Sequence, residues 1–209
     1  MSLVLYHHPL ASYCWKALFA LHETGTSFTP HLVDLGDPAQ RAALAELWPF
    51  AKFPVLHDTV SGQVIPESTI LIEYLGAPLI PADPAIALET RLRDRFFDLH
   101  VHEPMQRIVA DRLRPADQRD PLGVAQAHHT LAVAYAEANR FLHGRTWANG
   151  HALSLADCAA APALWYANRV APIPPEHTQL HAYLARLVAR PSFARVLAGS
   201  QPYQHLFPG

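Results

Sequence analysis

Apolar positions in the first third of the chain alternate between short strand-like runs and helical spacing. Leu3-Val4-Leu5-Tyr6 is a β-prone run that His7-His8-Pro9 stops. Cys14, Leu18 and Leu21, flanked by Trp15, Phe19 and His22, recur at helical spacing until Gly25 offers a stop. Phe28 to Val33 reads as a second strand, which Pro30 confines to a sheet edge. Ala39 to Leu47 is rich in Ala, Leu and Glu and predicts a helix. Phe53 to Leu56 and Gln63 to Ile65 predict two short strands joined by a turn containing Ser61-Gly62. Glu67 to Leu75 predicts a third helix, with Ile70, Leu71, Tyr74 and Leu75 on one face. The order is βαβαββα.

The pattern then changes. Pro78, Pro81 and Pro84 mark a linker, because proline cannot continue a helix. Beyond it only helical stripes recur. Leu88, Leu92, Phe96 and Leu99 form one, which Pro104 is expected to kink or end. Val124, His128, Leu131, Tyr135, Ala138 and Leu142 form a second, stepping by four and three, with His128 expected in the core. Leu180, Tyr183, Leu184, Leu187 and Val188 form another, ended by Pro191. These stripes are short and bounded by proline, which favours a bundle of about five helices over a coiled coil. The predicted organisation is an α/β domain over 1–77, a Pro-rich linker over 78–85 and an all-helical domain over 86–209.

Composition narrows the function. Sixteen basic residues face eighteen acidic ones, a net charge of −2, so no basic excess exists to track a phosphate backbone. Nucleic acid is not the expected partner. No uncharged apolar run reaches the roughly 18 residues of a membrane helix, and the N-terminus lacks the basic start of a signal peptide. The two cysteines, Cys14 and Cys158, cannot build a disulfide framework, which suits a reducing cytoplasmic compartment. The adjacent pairs His7-His8 and His128-His129 point their rings apart, so no metal is expected. Glycine-rich nucleotide motifs are absent.

Four features carry candidate chemistry. Ser12-Tyr13-Cys14 opens the first helix, where the dipole and first-turn amides favour an anion; Ser12 would equally serve as a plain cap. Phe53-Pro54 puts a residue without an N–H into a strand, which implies an edge or a cis bond that turns the backbone of Phe53 outward for an extended peptide. Glu67-Ser68 opens the third helix: Ser68 suits a carboxylate and Glu67 an ammonium. Ser154 to Asp157 is an S-x-x-D capping box, expected to serve folding rather than catalysis.

Taken in order, L-Y-H-H-P-L-A-S-Y-C-W-K-A-L-F-A-L from Leu5, W-P-F-A-K-F-P-V-L from Trp48, E-S-T-I-L-I-E-Y-L from Glu67 and L-S-L-A-D-C-A-A-A-P from Leu153 resemble the cytosolic glutathione transferase family. The resemblance implies a thioredoxin-like N-terminal domain, a helical C-terminal domain, and a hydrophobic acceptor site between them, for which Trp165, Tyr166 and segment 103–113 are candidates. It implies that Ser68 takes the γ-glutamyl carboxylate of glutathione and Glu67 its ammonium. Phe53, ahead of a cis Pro54, would pair with the cysteinyl backbone, and Lys52 would meet the glycyl carboxylate. Several Ser-type members carry the thiol-activating serine in register with Ala11, whereas here the hydroxyl falls one residue later. Ser12, Tyr13 and Tyr6 are therefore all candidates to activate the thiol. The implied activity is conjugation of glutathione to a small hydrophobic electrophile, in a cytoplasmic, detoxifying homodimer without metal. Two other readings stand beside it: a non-catalytic glutathione- or protein-binding member, and a glutathione-dependent thiol-disulfide oxidoreductase acting through Cys14.

Overall fold

The computed structural model describes residues 2–76 and 78–208 of the 209-residue chain. By its internal contacts the chain divides into two units, Met1–Ile80 with Pro191–His205, and Pro81–Arg190 with Leu206–Gly209. The expected boundary at Ala77 lies outside the described residues.

The first unit holds β1 (Leu3–His7), α1 (Ser12–Glu23), β2 (Thr29–Leu32), α2 (Pro38–Leu47), β3 (Val55–Asp58), β4 (Gln63–Pro66) and α3 (Ser68–Tyr74). This is the thioredoxin-like order. The sheet runs β2-β1-β3-β4, with β1 parallel to β2 and antiparallel to β3, and β3 antiparallel to β4. As expected of a Pro30-bearing strand, β2 is an edge: it pairs only with β1. Side chains alternate across the pleat. Leu5, Leu56 and Ile65 stand in register and are buried in one row. Their neighbours Tyr6, Val55 and Val64 join Val33, Leu44 and Leu47 in a cluster that takes in α2. In α3 the expected apolar face is corrected: Leu71 and Ile72 are buried, whereas Ile70 and Tyr74 are exposed. Tyr74 instead donates to Asp58 at 2.8 Å.

A ninth helix, α9 (Pro191–Ser200), groups with this first unit rather than with the rest of 86–209. The cause is aromatic: Phe193 is wholly buried against Trp15 and Phe19 of α1, with ring centroids 6.0 and 5.2 Å away. Ser192 also donates to Glu23.

The second unit contains α4 (Pro84–Phe96), α5 (Glu103–Arg112), α6 (Pro121–Phe141), α7 (Leu155–Val170) and α8 (Thr178–Ala189), five helices among the described residues. Nearly every residue of α7 is buried, because its alanines let neighbouring helices approach closely. Two expected stripes are corrected here. Leu88, Leu92 and Leu99 are exposed, and α4 buries Ala87, Thr90 and Asp94 instead. His128 is exposed as well; Ala127, Leu131, Ala134 and Tyr135 form the buried face of α6. Pro104 does not break the chain's helical path. A six-residue π-helix, Phe97–His102, ends before it, and the proline falls in the first turn of α5, where no intrahelical N–H is required.

Candidate functional site

The strand registers bring three loops to one end of the sheet. Tyr6, near the C-terminal end of β1, pairs with Val55 at the start of β3, and Val55 pairs with Pro66 at the end of β4. The turn before α1, the Phe53-Pro54 segment and the Glu67-Ser68 junction therefore emerge side by side. Ring and side-chain contacts tighten this grouping. His8 stacks on Phe53 at 6.0 Å between centroids, and Lys16 of α1 donates to Thr69 of α3 at 2.8 Å. Lys16 is buried, and neither it nor His8 figured among the expected site residues. The available signal was a lysine one helical turn beyond Ser12 on an otherwise apolar stretch.

The expected cis bond joins Phe53 and Pro54. The backbone N–H and C=O of Phe53 make no hydrogen bond to another described residue, so both remain available to an extended chain. Glu67 stands at φ 69°, a left-handed value that costs a non-glycine residue about 1–3 kcal/mol. Its carboxylate is exposed, without a hydrogen bond or ion pair among the described residues. Ser68 is buried as the first residue of α3, which receives no side-chain cap from Glu67. Lys52 is exposed and likewise unpaired among the described residues.

The three candidate hydroxyls differ in setting. Ser12 is the buried first residue of α1, following Ala11, which offers no side-chain cap. Tyr13 is half-buried beside it. The ring of Tyr6 packs in the α2-side cluster and lies 4.6 Å from that of His31. Cys14 is wholly buried, and that burial pushes its thiol up to about 12. It is protonated at neutral pH, the opposite of a redox nucleophile.

In the second unit, Tyr166 is buried against Trp165 and Phe207, while Arg169 lies over the rings of Trp165 and Phe207. The capping box forms as expected. Asp157 accepts from the backbone N–H of Ser154 and Ala148 at 2.8 Å, the Ser154 hydroxyl at 3.0 Å and the Tyr183 hydroxyl at 2.6 Å. Burial and the adjacent carboxylate push the Tyr183 hydroxyl far up, so it stays a donor. His177 and His181 stand four residues apart, a spacing that metal sites also use. The ring of His181 sits 3.2 Å from the Pro174 carbonyl, and no group of three potential ligands occurs among the described residues.

A sheet of this order with a cis-proline directly before its inner strand β3, followed by a helical domain, defines the thioredoxin-like class to which glutathione transferases belong. Family models match in sequence order: the glutathione S-transferase N-terminal domain over residues 5–77 and the glutathione S-transferase C-terminal domain over residues 98–191. The chain belongs to the glutathione S-transferase family. It is 28% identical to a probable maleylacetoacetate isomerase of Caenorhabditis elegans over 176 residues, 79% of each chain. A glutathione S-transferase of Methylobacterium radiotolerans, solved with glutathione sulfonate, is 27% identical, with a TM-score of 0.80 over 93% of each chain. One from Methylobacillus flagellatus, solved with glutathione bound, shares the fold at a TM-score of 0.85 and 24% identity, covering 93% of this chain and 98% of that one.

Proposed function

We propose that this protein binds glutathione where β1, β3 and β4 end together, holds its thiol as the thiolate, and adds the sulfur to a small hydrophobic electrophile. The observation that carries this reading is the unpaired backbone of Phe53 beside the strained Glu67-Ser68 junction. One offers a donor and an acceptor to the cysteinyl backbone of glutathione. The other offers Ser68 to the γ-glutamyl carboxylate and Glu67 to the ammonium, while Lys52 meets the glycyl carboxylate. A thiol of pKa about 8.5 is only a few per cent ionised at pH 7, and lowering it by ~2 units requires about 2.7 kcal/mol of thiolate stabilisation. Ser12 donates to the sulfur in this reading; Tyr13 and Tyr6 are its replacements. The thiolate attacks the electrophilic carbon, and the displaced group leaves with the electron pair of the bond it breaks.

The test is thiolate absorbance of the protein–glutathione complex, titrated with pH. Ser12→Ala should return the bound thiol towards its solution pKa and slow conjugation by ~10–100-fold, or about 1.4–2.7 kcal/mol. An unshifted curve clears Ser12, and a shift in Tyr13→Phe or Tyr6→Phe names the replacement. The relative named as an isomerase supports a second reading on the same chemistry. There the thiolate adds to a conjugated double bond, the single bond so formed rotates, and glutathione is expelled unchanged. Consumption of glutathione during turnover separates the two.

The reading extends to a cytoplasmic, detoxifying homodimer. Leu88 and Leu92 lie one turn apart on α4 and are 70% and 61% exposed, an apolar patch that a second copy would cover. Leu92→Glu should then halve the mass measured by light scattering.

A further inference from the structure

His8 follows β1 directly, is half-buried, and has no role in the placement of glutathione proposed above. Two hydrogen bonds fix it. Its carbonyl accepts from the Ala11 N–H at 3.1 Å, and the Leu10 N–H donates to the ring Nδ1 at 3.2 Å. Nδ1 is therefore the acceptor nitrogen, and the proton of the neutral ring sits on Nε2. Burial lowers the pKa of the ring below its usual 6.5, against the opposing pull of Asp34, so the ring is neutral at pH 7. The Nε2–H makes no hydrogen bond to a described residue. Aromatic rings hold the imidazole on two sides. It stacks on Phe53 with centroids 6.0 Å apart, and Tyr203, in the short helical turn Gln201–Leu206, meets it in a T-shaped contact at 6.0 Å.

The result is one oriented, neutral donor in an aromatic setting. In the proposed function Ser68, Glu67 and Lys52 take the charged ends of glutathione and the Phe53 backbone takes its cysteinyl unit, so none of these needs His8. The stack on Phe53 sets the donor beside the residue that holds the cysteinyl unit, on the side where the sulfur reacts. A fixed N–H acts most strongly on charge that develops during the reaction. A departing halide carries its charge into water, whereas a conjugated carbonyl keeps it at a fixed position relative to the reacting carbon. Building on that reading, we propose that His8 is a further catalytic residue, whose Nε2–H donates to the carbonyl oxygen of an α,β-unsaturated carbonyl compound as the glutathione thiolate adds to its β-carbon. The sulfur's electron pair forms the new bond, the π pair of the double bond shifts towards the carbonyl carbon, and the carbonyl π pair ends on oxygen as an enolate. Water then protonates the α-carbon and the carbonyl re-forms. The hydroxide left behind is neutralised by the proton that the thiol released on ionising.

The test compares two electrophiles with the same phenyl body under saturating glutathione: benzylideneacetone, a conjugated ketone, and benzyl chloride, which has no oxygen. The quantity read is the ratio of their kcat/KM values in the full chain. His8→Asn keeps a side-chain oxygen for the Leu10 N–H and removes the Nε2 donor, and should lower the ratio by about 10–100-fold. His8→Gln carries an amide N–H out to the Nε2 position and should restore most of it. Both rates are read on one protein sample, so a partial loss of folded protein does not move the ratio. An unchanged ratio in His8→Asn overturns the proposal. So does a calorimetric loss of glutathione affinity as large as the fall in the ratio, which would assign His8 to glutathione itself. A parent protein that conjugates benzyl chloride but not benzylideneacetone overturns the proposal and leaves the proposed function standing; one that conjugates neither overturns both.

Discussion

The first turns of α7 and α3 face one physical problem and resolve it in opposite ways. A helix start leaves amides without intrahelical partners. In α7, Ser154 and Asp157 answer from within: the carboxylate collects four donors in a site closed to solvent. In α3, Glu67 stands at a left-handed φ, caps nothing and leaves its carboxylate exposed. The start of α1 resembles α3, since Ala11 has no side-chain oxygen with which to cap. Under the proposed function, the satisfied polarity at α7 would serve folding, and the unsatisfied, strained polarity at α3 would pair with a ligand's own charges.

The largest effect should come from breaking the satisfied side. Asp157→Ala removes the cap and leaves the Tyr183 hydroxyl and two amides buried without an acceptor, at about 3–5 kcal/mol. At roughly 2–4 °C per kcal/mol for a chain of this size, the melting temperature should fall by about 6–20 °C. The protein that remains folded should bind glutathione normally by calorimetry. A variant with normal melting and lost binding would reverse the assignment of the two helix starts.

Ser68→Ala should do the converse, weakening glutathione binding by about 1–3 kcal/mol with little change in melting. Unchanged affinity would move the carboxylate off α3.

Acid should act through His7, at the end of β1 beside the candidate site. Burial, with help from His8 and His31, holds His7 down to about 4, below the 6.5 of an unperturbed ring. The unfolded chain therefore binds more protons between those values. The neutral ring's advantage is complete above about pH 6.5 and is lost as the pH falls towards 4. Because the ring is partly exposed, the loss should be only about 1–2 kcal/mol. Melting curves at pH 7 and pH 4.5 should diverge less in His7→Gln than in the parent chain; equal divergence would place the acid sensitivity elsewhere.

The smallest effect sharpens the comparison most. Glu67→Gly relieves the left-handed backbone and should raise stability by about 1 kcal/mol, while glutathione binds more weakly for want of a partner to its ammonium. A variant that gains stability and keeps full affinity would leave the strain without a function.

Much of this organisation was legible in the sequence because it depends on local chemistry. Pro30 can occupy only an edge, so β2 ends the sheet whatever surrounds it. Ser154 and Asp157 reach each other across one turn, so the box forms without long-range help. The βαβαββα order followed from alternating apolar periods; at Phe53-Pro54 the residues left an edge strand or a cis bond open, and the family resemblance singled out the cis bond that the structure holds.

Tertiary structure alone decided which face of each helix is inside. Leu88, Leu92 and Leu99 make the stronger apolar stripe, yet α4 turns Ala87, Thr90 and Asp94 inward; His128 yields in the same way to Ala127. Periodicity records where large apolar side chains recur, but close packing rewards whichever face matches its neighbour in shape, and small residues often win that contest. The pairing of α9 with α1 lay equally beyond local reading, since Phe193 and Trp15 are distant in sequence and meet only once the chain has folded back. The candidate site divides the same way. The identities of Ser12, Phe53, Glu67 and Ser68 are written locally, whereas their convergence depends on the register that sets Tyr6 beside Val55 and Val55 beside Pro66. Register is a property of paired strands, and no single segment contains it.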